Sequence, residues 1–336
     1  MLRLVLLLVI FFASGLNATA ETVLIPAVAG RPASFIPRTQ PLFPAAYFTN
    51  QLRAIQQNNA ARPYWAATKE EAALSASARE SILLNNYILG YYGHPLSKNM
   101  GILGRFSKDE LNRQLSALAA EYQALADGKG IVKAFYIIFG TVWPGGDIGI
   151  IREDVLREWI EYALEHDILV FIDHQIGKYE PEHGLRLLLP WLKYPNVHLA
   201  LDPEWRTTKP MQEIGTVTGE EINHVQRIME EYLIANNLPG ERMLVMHQFN
   251  WRMITNREVV RTNFERVRLV HSADGIGNPH QKRDSYAFNA QARNMPVKSF
   301  KLFYNFEIPG AGFDNPLMSP RDVMGLNPRP YVIMYQ

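Results

Sequence analysis

Asp202 and Glu204 are the two residues of this 336-residue chain whose types and spacing point most directly to chemistry. They close an apolar run in the phrase Leu201-Asp202-Pro203-Glu204-Trp205-Arg206. Residues two apart on a strand point to the same side. Both carboxyls are therefore expected on one face, close enough to share a proton and hold the glutamate's pKa up. A carboxylic acid that stays protonated beside a second carboxylate suits glycosidic-bond cleavage, in which one acid protonates the leaving oxygen while the other attacks or activates water. Glu307, just past a later apolar run, offers a second partner across a substrate. A separation of about 5–5.5 Å would suit a retaining pair and roughly 6.5–9.5 Å an inverting one. Structural alternatives stand beside these readings: a strand end salt-bridged to Arg206, and a loop or helix-entry role for Glu307 before Pro309.

The same punctuation recurs along the chain. Eight short apolar runs each stop on polar or aromatic residues. The other runs end at Tyr91-Tyr92-Gly-His94, Phe139-Gly-Thr141, Asp173-His174-Gln175, His247-Gln248, His271-Ser-Ala-Asp274, Tyr304-Asn305-Phe-Glu307 and Tyr335-Gln336. Unpaired polar groups inside a buried strand cost several kcal/mol. Polar residues gathered at one end of every run therefore imply strands pointing one way, with tips converging on one site. Asp202, Glu204 and Glu307 are the catalytic candidates. Tyr91, Tyr92, His94, Asp173, Trp205, His247, Gln248, Asp274, Tyr304, Asn305 and Tyr335 are the candidates for holding a substrate, the aromatic ones by stacking on sugar rings or by capping the mouth of the fold. A metal-dependent alternative would draw on Asp173-His174, His247 and His271 as ligands. Neighbours on a strand face opposite ways, so Asp173 and His174 cannot both enter one site without distortion. No metal or other cofactor is expected in the favoured reading.

The elements between the runs are helical. Ser107-Lys-Asp-Glu110, Thr218-Gly-Glu-Glu221 and Thr255-Asn-Arg-Glu258 read as capping boxes, as does Thr68-Lys-Glu-Glu71 ahead of the first run. Ser319-Pro-Arg-Asp322 is a variant with proline at the first helical position. Behind the caps, Leu111, Leu115, Leu118, Tyr122 and Leu125 share a helical face, as do Ile222, Val225, Met229 and Leu233. Val155, Trp159, Ile160 and Ala163 do the same. Strand and helix alternate without a hairpin signal, which implies parallel strands with crossover helices. Eight units over about 250 residues match an α/β (β/α)8 barrel. An open doubly wound sheet would want a glycine-rich phosphate turn after the first strand, and Gly90-Tyr-Tyr-Gly-His94 is not one. A helix over residues 69–82 is expected to fill the gap left by the absent eighth helix.

The flanks and the composition bound the setting. Residues 1–20 read as a signal peptide: a basic start at Arg3, an apolar stretch from Leu4 to Phe12, and a cleavage site at Ala18-Thr-Ala20. An uncleaved anchor is the alternative. Residues 21–67 are expected to form an extended arm, and 68–336 a single barrel domain. The absence of cysteine excludes disulfides, lipidated cysteine and thiolate metal sites. It leans toward a bacterial periplasm or exterior. With a net charge of +1 and no basic run, nucleic acid is not an expected partner. Nor is a membrane, once the signal is cleaved.

Two resemblances refine this reading. The placement of Glu204 after the fourth run and Glu307 after the seventh resembles the large clan of retaining glycosidases, although Pro203 stands where that clan usually has asparagine. Asp202-Pro-Glu204 resembles the end of the Asp-x-x-Asp-x-Asp-x-Glu signature of chitinase-like barrels, as Gly90-Tyr91-Tyr92 resembles their first strand. Val197-His-Leu-Ala-Leu201 lacks the two upstream aspartates. As a set, Tyr91-Tyr-Gly-His-Pro95, Leu201-Asp-Pro-Glu-Trp-Arg206, Ile214-Gly-Thr-Val217, Met246-His-Gln-Phe249, Asp274-Gly-Ile-Gly277, Lys301-Leu-Phe-Tyr304 and Pro330-Tyr-Val-Ile-Met-Tyr-Gln336 resemble an uncharacterised family of exported bacterial barrel proteins. These resemblances imply a glycoside-hydrolase-like protein acting on a polysaccharide or cell-envelope glycan. They give Glu204 the acid role, Asp202 a stabilising role and Glu307 the nucleophile role, with a non-catalytic carbohydrate binder as the alternative.

Overall fold

The computed structural model describes residues 81–336. The expected signal peptide, the arm, and all but the end of the 69–82 helix lie outside the described residues. Eight strands form the frame: β1 (Asn86–Gly93), β2 (Gly130–Val142), β3 (Ile168–Gln175), β4 (Val197–Asp202), β5 (Arg242–Gln248), β6 (Val267–Ala273), β7 (Lys298–Leu302) and β8 (Val332–Tyr335). Each pairs in parallel with the next. β8 returns to β1 through Ile88↔Val332 and Tyr91↔Tyr335, so the sheet closes into a (β/α)8 barrel. All eight strands match the polar-tipped runs.

Helices α1 (Lys108–Gln123), α2 (Glu153–Glu165), α3 (Pro181–Leu188), α4 (Gly219–Ala235), α5 (Pro279–Ala290) and α6 (Pro320–Met324) fill every connection except the one from β5 to β6. Thr218 and Glu221 make the expected reciprocal capping box, as do Ser319 and Asp322. Ser107 accepts from the Glu110 N–H. The Thr255–Glu258 box does not form. Thr255 ends a two-residue strand, Asn256 takes a left-handed backbone (φ 49°), and only one 3-10 turn follows. A left-handed residue next to the cap position prevents the threonine from starting a helix. Asn278 and Gln281 make a further capping box, absent from the expectations, at the start of α5.

Alternation along each strand divides the buried residues into two cores. Leu111, Leu115, Tyr122, Val155, Trp159, Ile160, Ile222, Val225 and Met229 pack from the helices onto the outward strand residues. The inward residues, among them Ile88, Tyr92, Ala134, Tyr136, Phe171, Ala200, Val245, Val270 and Met334, fill the barrel. Leu83 and Leu84, from a helical turn at Ile82–Asn85, join this interior set ahead of β1. Across four neighbouring strands Tyr92, Tyr136, Phe171 and His198 stand in register. Their rings lie 5.1 Å apart at each step, and Tyr136 is nearly parallel to Phe171. This row of rings is the floor on which the polar strand ends rest.

Candidate active site

Strand parity decides which tips meet. Tyr92, Asp173, Asp202, His247, Ser272 and Lys301 point into the barrel at its C-terminal end. Tyr92 donates its hydroxyl to Asp173 Oδ2 at 2.8 Å. The Tyr136 hydroxyl lies 2.7 Å from His247 Nε2, and His247 Nδ1 lies 2.6 Å from Asp274 Oδ2. Ser272 donates to the other Asp274 oxygen at 2.7 Å. The Lys301 ammonium sits 3.5 Å from Asp274 and 3.6 Å above the Tyr92 ring. His247 Nε2 is also 3.6 Å from Asp173 Oδ2. His247 and Asp173 are no more than 1% exposed, so this is a buried network of paired charges and neutral hydroxyls.

The electrostatics follow from that packing. Burial lowers the His247 pKa, but Asp274, Asp173 and Asp202 outweigh it and carry the imidazole up to about 9. Both ring nitrogens then bear protons at neutral pH, one for Asp274 and one for the Tyr136 hydroxyl. Burial raises Asp274, and the opposing pull of His247 and Lys301 takes it well below the ordinary carboxylate range. Burial pushes the Tyr92 and Tyr136 hydroxyls far up, so both stay neutral, Tyr92 donating to Asp173 and Tyr136 accepting from His247.

Asp202 and Glu204 stand at the rim of this network. The strand ends at Asp202, and Pro203–Trp205 forms a 3-10 turn, so Glu204 is not on the strand face that alternation assigns to it. Proline cannot donate to the sheet ladder and is set up for a first helical position, which explains the turn. Asp202 Oδ1 accepts the Glu204 backbone N–H at 3.3 Å and caps that turn. Both carboxyls nonetheless sit above the ordinary carboxylate range. Burial raises both, and the Asp202 charge raises Glu204 further, while Lys301 and His247 pull down on each. The pair therefore keeps a proton near neutrality. Asp202 is buried, whereas Glu204 keeps part of its surface in solvent at the barrel mouth. Arg206 does not bridge to either. It bonds Glu221, Glu180 and the Thr216 carbonyl.

The remaining expected site residues fall elsewhere. Tyr91 and Tyr335 are buried against the helical layer, where the Tyr335 and Tyr122 hydroxyls meet at 2.7 Å. Tyr304 stacks on Tyr335 with 5.3 Å between ring centres. Gln248 takes His271 Nε2 at 2.8 Å beneath α5, and Lys298 holds the other His271 nitrogen. His174 packs against Gly184 of α3 and Phe139. With His174 and His271 turned to the helices, the histidines of the metal alternative do not converge, and among the described residues no group of three or more His, Asp or Glu could hold a metal ion. His94 Nδ1 accepts the Leu96 N–H in the turn after β1, and Trp205 is half-buried at the end of the 3-10 turn. Asn305 and Glu307 are exposed on the loop after β7; Glu307 has a left-handed backbone (φ 57°), and its N–H donates to Asn305 Oδ1. Tyr136, Ser272 and Lys301 join the network without having been expected as site residues. Their inward parity, read from Asp202 and His247, was the available signal.

No family model and no curated protein matches the chain. Among solved structures it is similar to a chitinase from Chromobacterium violaceum (11% identity, 72% of this chain and 76% of that one, TM-score 0.37). It is also similar to a GH138 enzyme targeting pectin rhamnogalacturonan II (11%, 74% and 34%, TM-score 0.39) and a family 18 chitinase from Crocus vernus (8%, 74% and 92%, TM-score 0.37). The chain spans about a third of the pectin-targeting enzyme.

Proposed function

We propose that the protein is an exported hydrolase of glycosidic bonds, acting on a polysaccharide or cell-envelope glycan through the Asp202–Glu204 pair. The observation that carries this reading is the placement of two carboxyls at one strand end, buried Asp202 capping the turn that carries half-buried Glu204, with burial raising both. Glu204 is the proton donor to the leaving oxygen. Asp202, relieved of the shared proton, steadies positive charge at the reacting carbon. Asp173, His247 and Asp274 orient and tune the pair. Water attacks the reacting carbon as the glycosidic bond breaks and gives its proton to the Asp202 carboxylate, so Glu307, exposed on its loop, is not needed as the nucleophile.

The test is release of reducing ends from a polysaccharide panel. Glu204→Gln should lower turnover by about 10²–10⁴ and keep glycan binding, while Glu307→Gln should leave turnover within a few-fold. Wild-type rates in Glu204→Gln would sink the assignment. Binding with no product from any glycan would instead favour a non-catalytic carbohydrate binder. Sequencing the amino terminus of the exported protein checks the cleavage expected after Ala20.

A further inference from the structure

The register pairs between β6 and β7 stop at Phe300↔Ala273, just short of Lys301 and Asp274. Those two residues carry buried charges of the network, 3.5 Å apart. A second ion pair bridges the strand ends just beyond the register. Lys282, in the first turn of α5, brings its ammonium 3.1 Å from Asp314 Oδ2 on the loop after β7, with both side chains fully buried. That ammonium also donates to the Gly275 carbonyl at 2.6 Å and to the Lys301 carbonyl. Asp314 Oδ1 accepts the Gly277 N–H at 3.1 Å, and Oδ2 accepts the Phe303 N–H at 3.0 Å. Each member of the pair thus grips one backbone group just past β6 and one at the end of β7.

Burying these two charges is expensive, and well-packed apolar side chains often serve stability equally well. The helix dipole also disfavours a cation in the first turn of α5. What apolar side chains could not supply is the set of backbone bonds across the strand ends. The Lys301 ammonium needs such a brace. Among the described residues it has only the Asp274 ion pair and the Tyr92 and Phe303 rings to hold it. We propose that Lys282 and Asp314 are positioning residues of the candidate site, fixing where the Lys301 ammonium stands against Asp274 and so the field that Glu204 experiences. They act through Lys301, which bears on both Asp202 and Glu204. Besides Asp314, the charges acting on Lys282 are Asp274 and Lys301 themselves. The proposal rests on the reading of Glu204 as the proton donor and names what sets its surroundings.

The test is the titration of Glu204 in the full chain, read from its carboxyl carbon resonance and assigned by the loss of that signal in Glu204→Gln. Lys301 lowers Glu204, so a displaced ammonium should move the midpoint toward alkali by about 1 pH unit. Lys282→Met and Asp314→Asn should both do so. Their lost charges alone would move it in opposite directions, and a purely structural role would not move it. In a Lys301→Met background neither substitution should add a shift. Lys282→Met/Asp314→Asn leaves no lone buried charge, should shift the midpoint the same way, and stands in for a single variant that circular dichroism shows unfolded. Opposite shifts in the single variants, an unmoved midpoint in a folded variant, or an equal shift in the Lys301→Met background overturns the proposal. The resonance needs no substrate. A wild type that cleaves no glycan therefore sinks the hydrolase reading alone, while cleavage with an unmoved midpoint removes the positioning role and spares that reading.

Discussion

His247 Nδ1 and Asp274 Oδ2 lie 2.6 Å apart at the C-terminal ends of neighbouring strands, with the imidazole fully buried and the Lys301 ammonium 3.5 Å from the same oxygen. Removing one partner of such a pair leaves an uncompensated charge in the interior. Asp274→Asn should therefore cost about 3–5 kcal/mol of unfolding free energy, read from urea denaturation at pH 7. A loss below about 1 kcal/mol would mean that water reaches the pair.

The raised groups fix a pH dependence of stability. A group whose folded pKa exceeds its unfolded value contributes stability that is complete below the unfolded pKa and lost as pH rises through the folded one. For His247 that loss runs from roughly 6.5 to about 9. Asp202 and Glu204 have the same sign, beginning near pH 4. Glu204→Gln removes one of the three. Its melting temperature should match wild type at pH 4 and exceed it at pH 8, by about 2–4 °C for each kcal/mol. Equal melting temperatures at both pH values would show that Glu204 is not held protonated by its surroundings.

Activity should fall on the alkaline side as the pair loses its proton. Asp202 raises Glu204 and Lys301 lowers it. Asp202→Asn should accordingly move the falling limb of kcat/KM toward acid, and Lys301→Met toward alkali. Shifts in the same direction would disprove the electrostatic coupling, whatever the two variants do to the rate.

Strand parity predicts a contrast between two tyrosines. Tyr335→Phe loses a hydroxyl contact with Tyr122 beneath the helices and should cost about 1 kcal/mol with activity unchanged. Tyr92→Phe frees Asp173 Oδ2 inside the network and should shift the pH–rate profile. A shifted profile in Tyr335→Phe would place that residue in the site after all.

The barrel was legible because eight apolar runs carry their polarity at one end, a pattern that only co-directional strands share. Asp202, Asp173 and His247 were legible for the same reason. Tyr91, Gln248 and Tyr335 sit at equally polar tips but one residue out of phase, and proximity to a strand end cannot separate the phases without a fixed reference. Glu204 shows the limit of alternation: Pro203 replaces the strand by a turn, so the pair forms through capping and burial. The missing fifth helix was hidden by Asn256, whose left-handed backbone is a local choice that the Thr-x-x-Glu spacing does not reveal.

The alternation that assembles the network also governs how this sequence can change. A loop can gain or lose residues without moving a strand. A single residue inserted within β5 before Met246 would set Met246 where His247 stands and leave Asp274 facing a thioether. The same slip would turn His247 toward the helices. Length variation among relatives of this chain should thus be confined to the segments between strands, and a relative with an insertion inside β4, β5 or β6 should have lost the charged centre altogether.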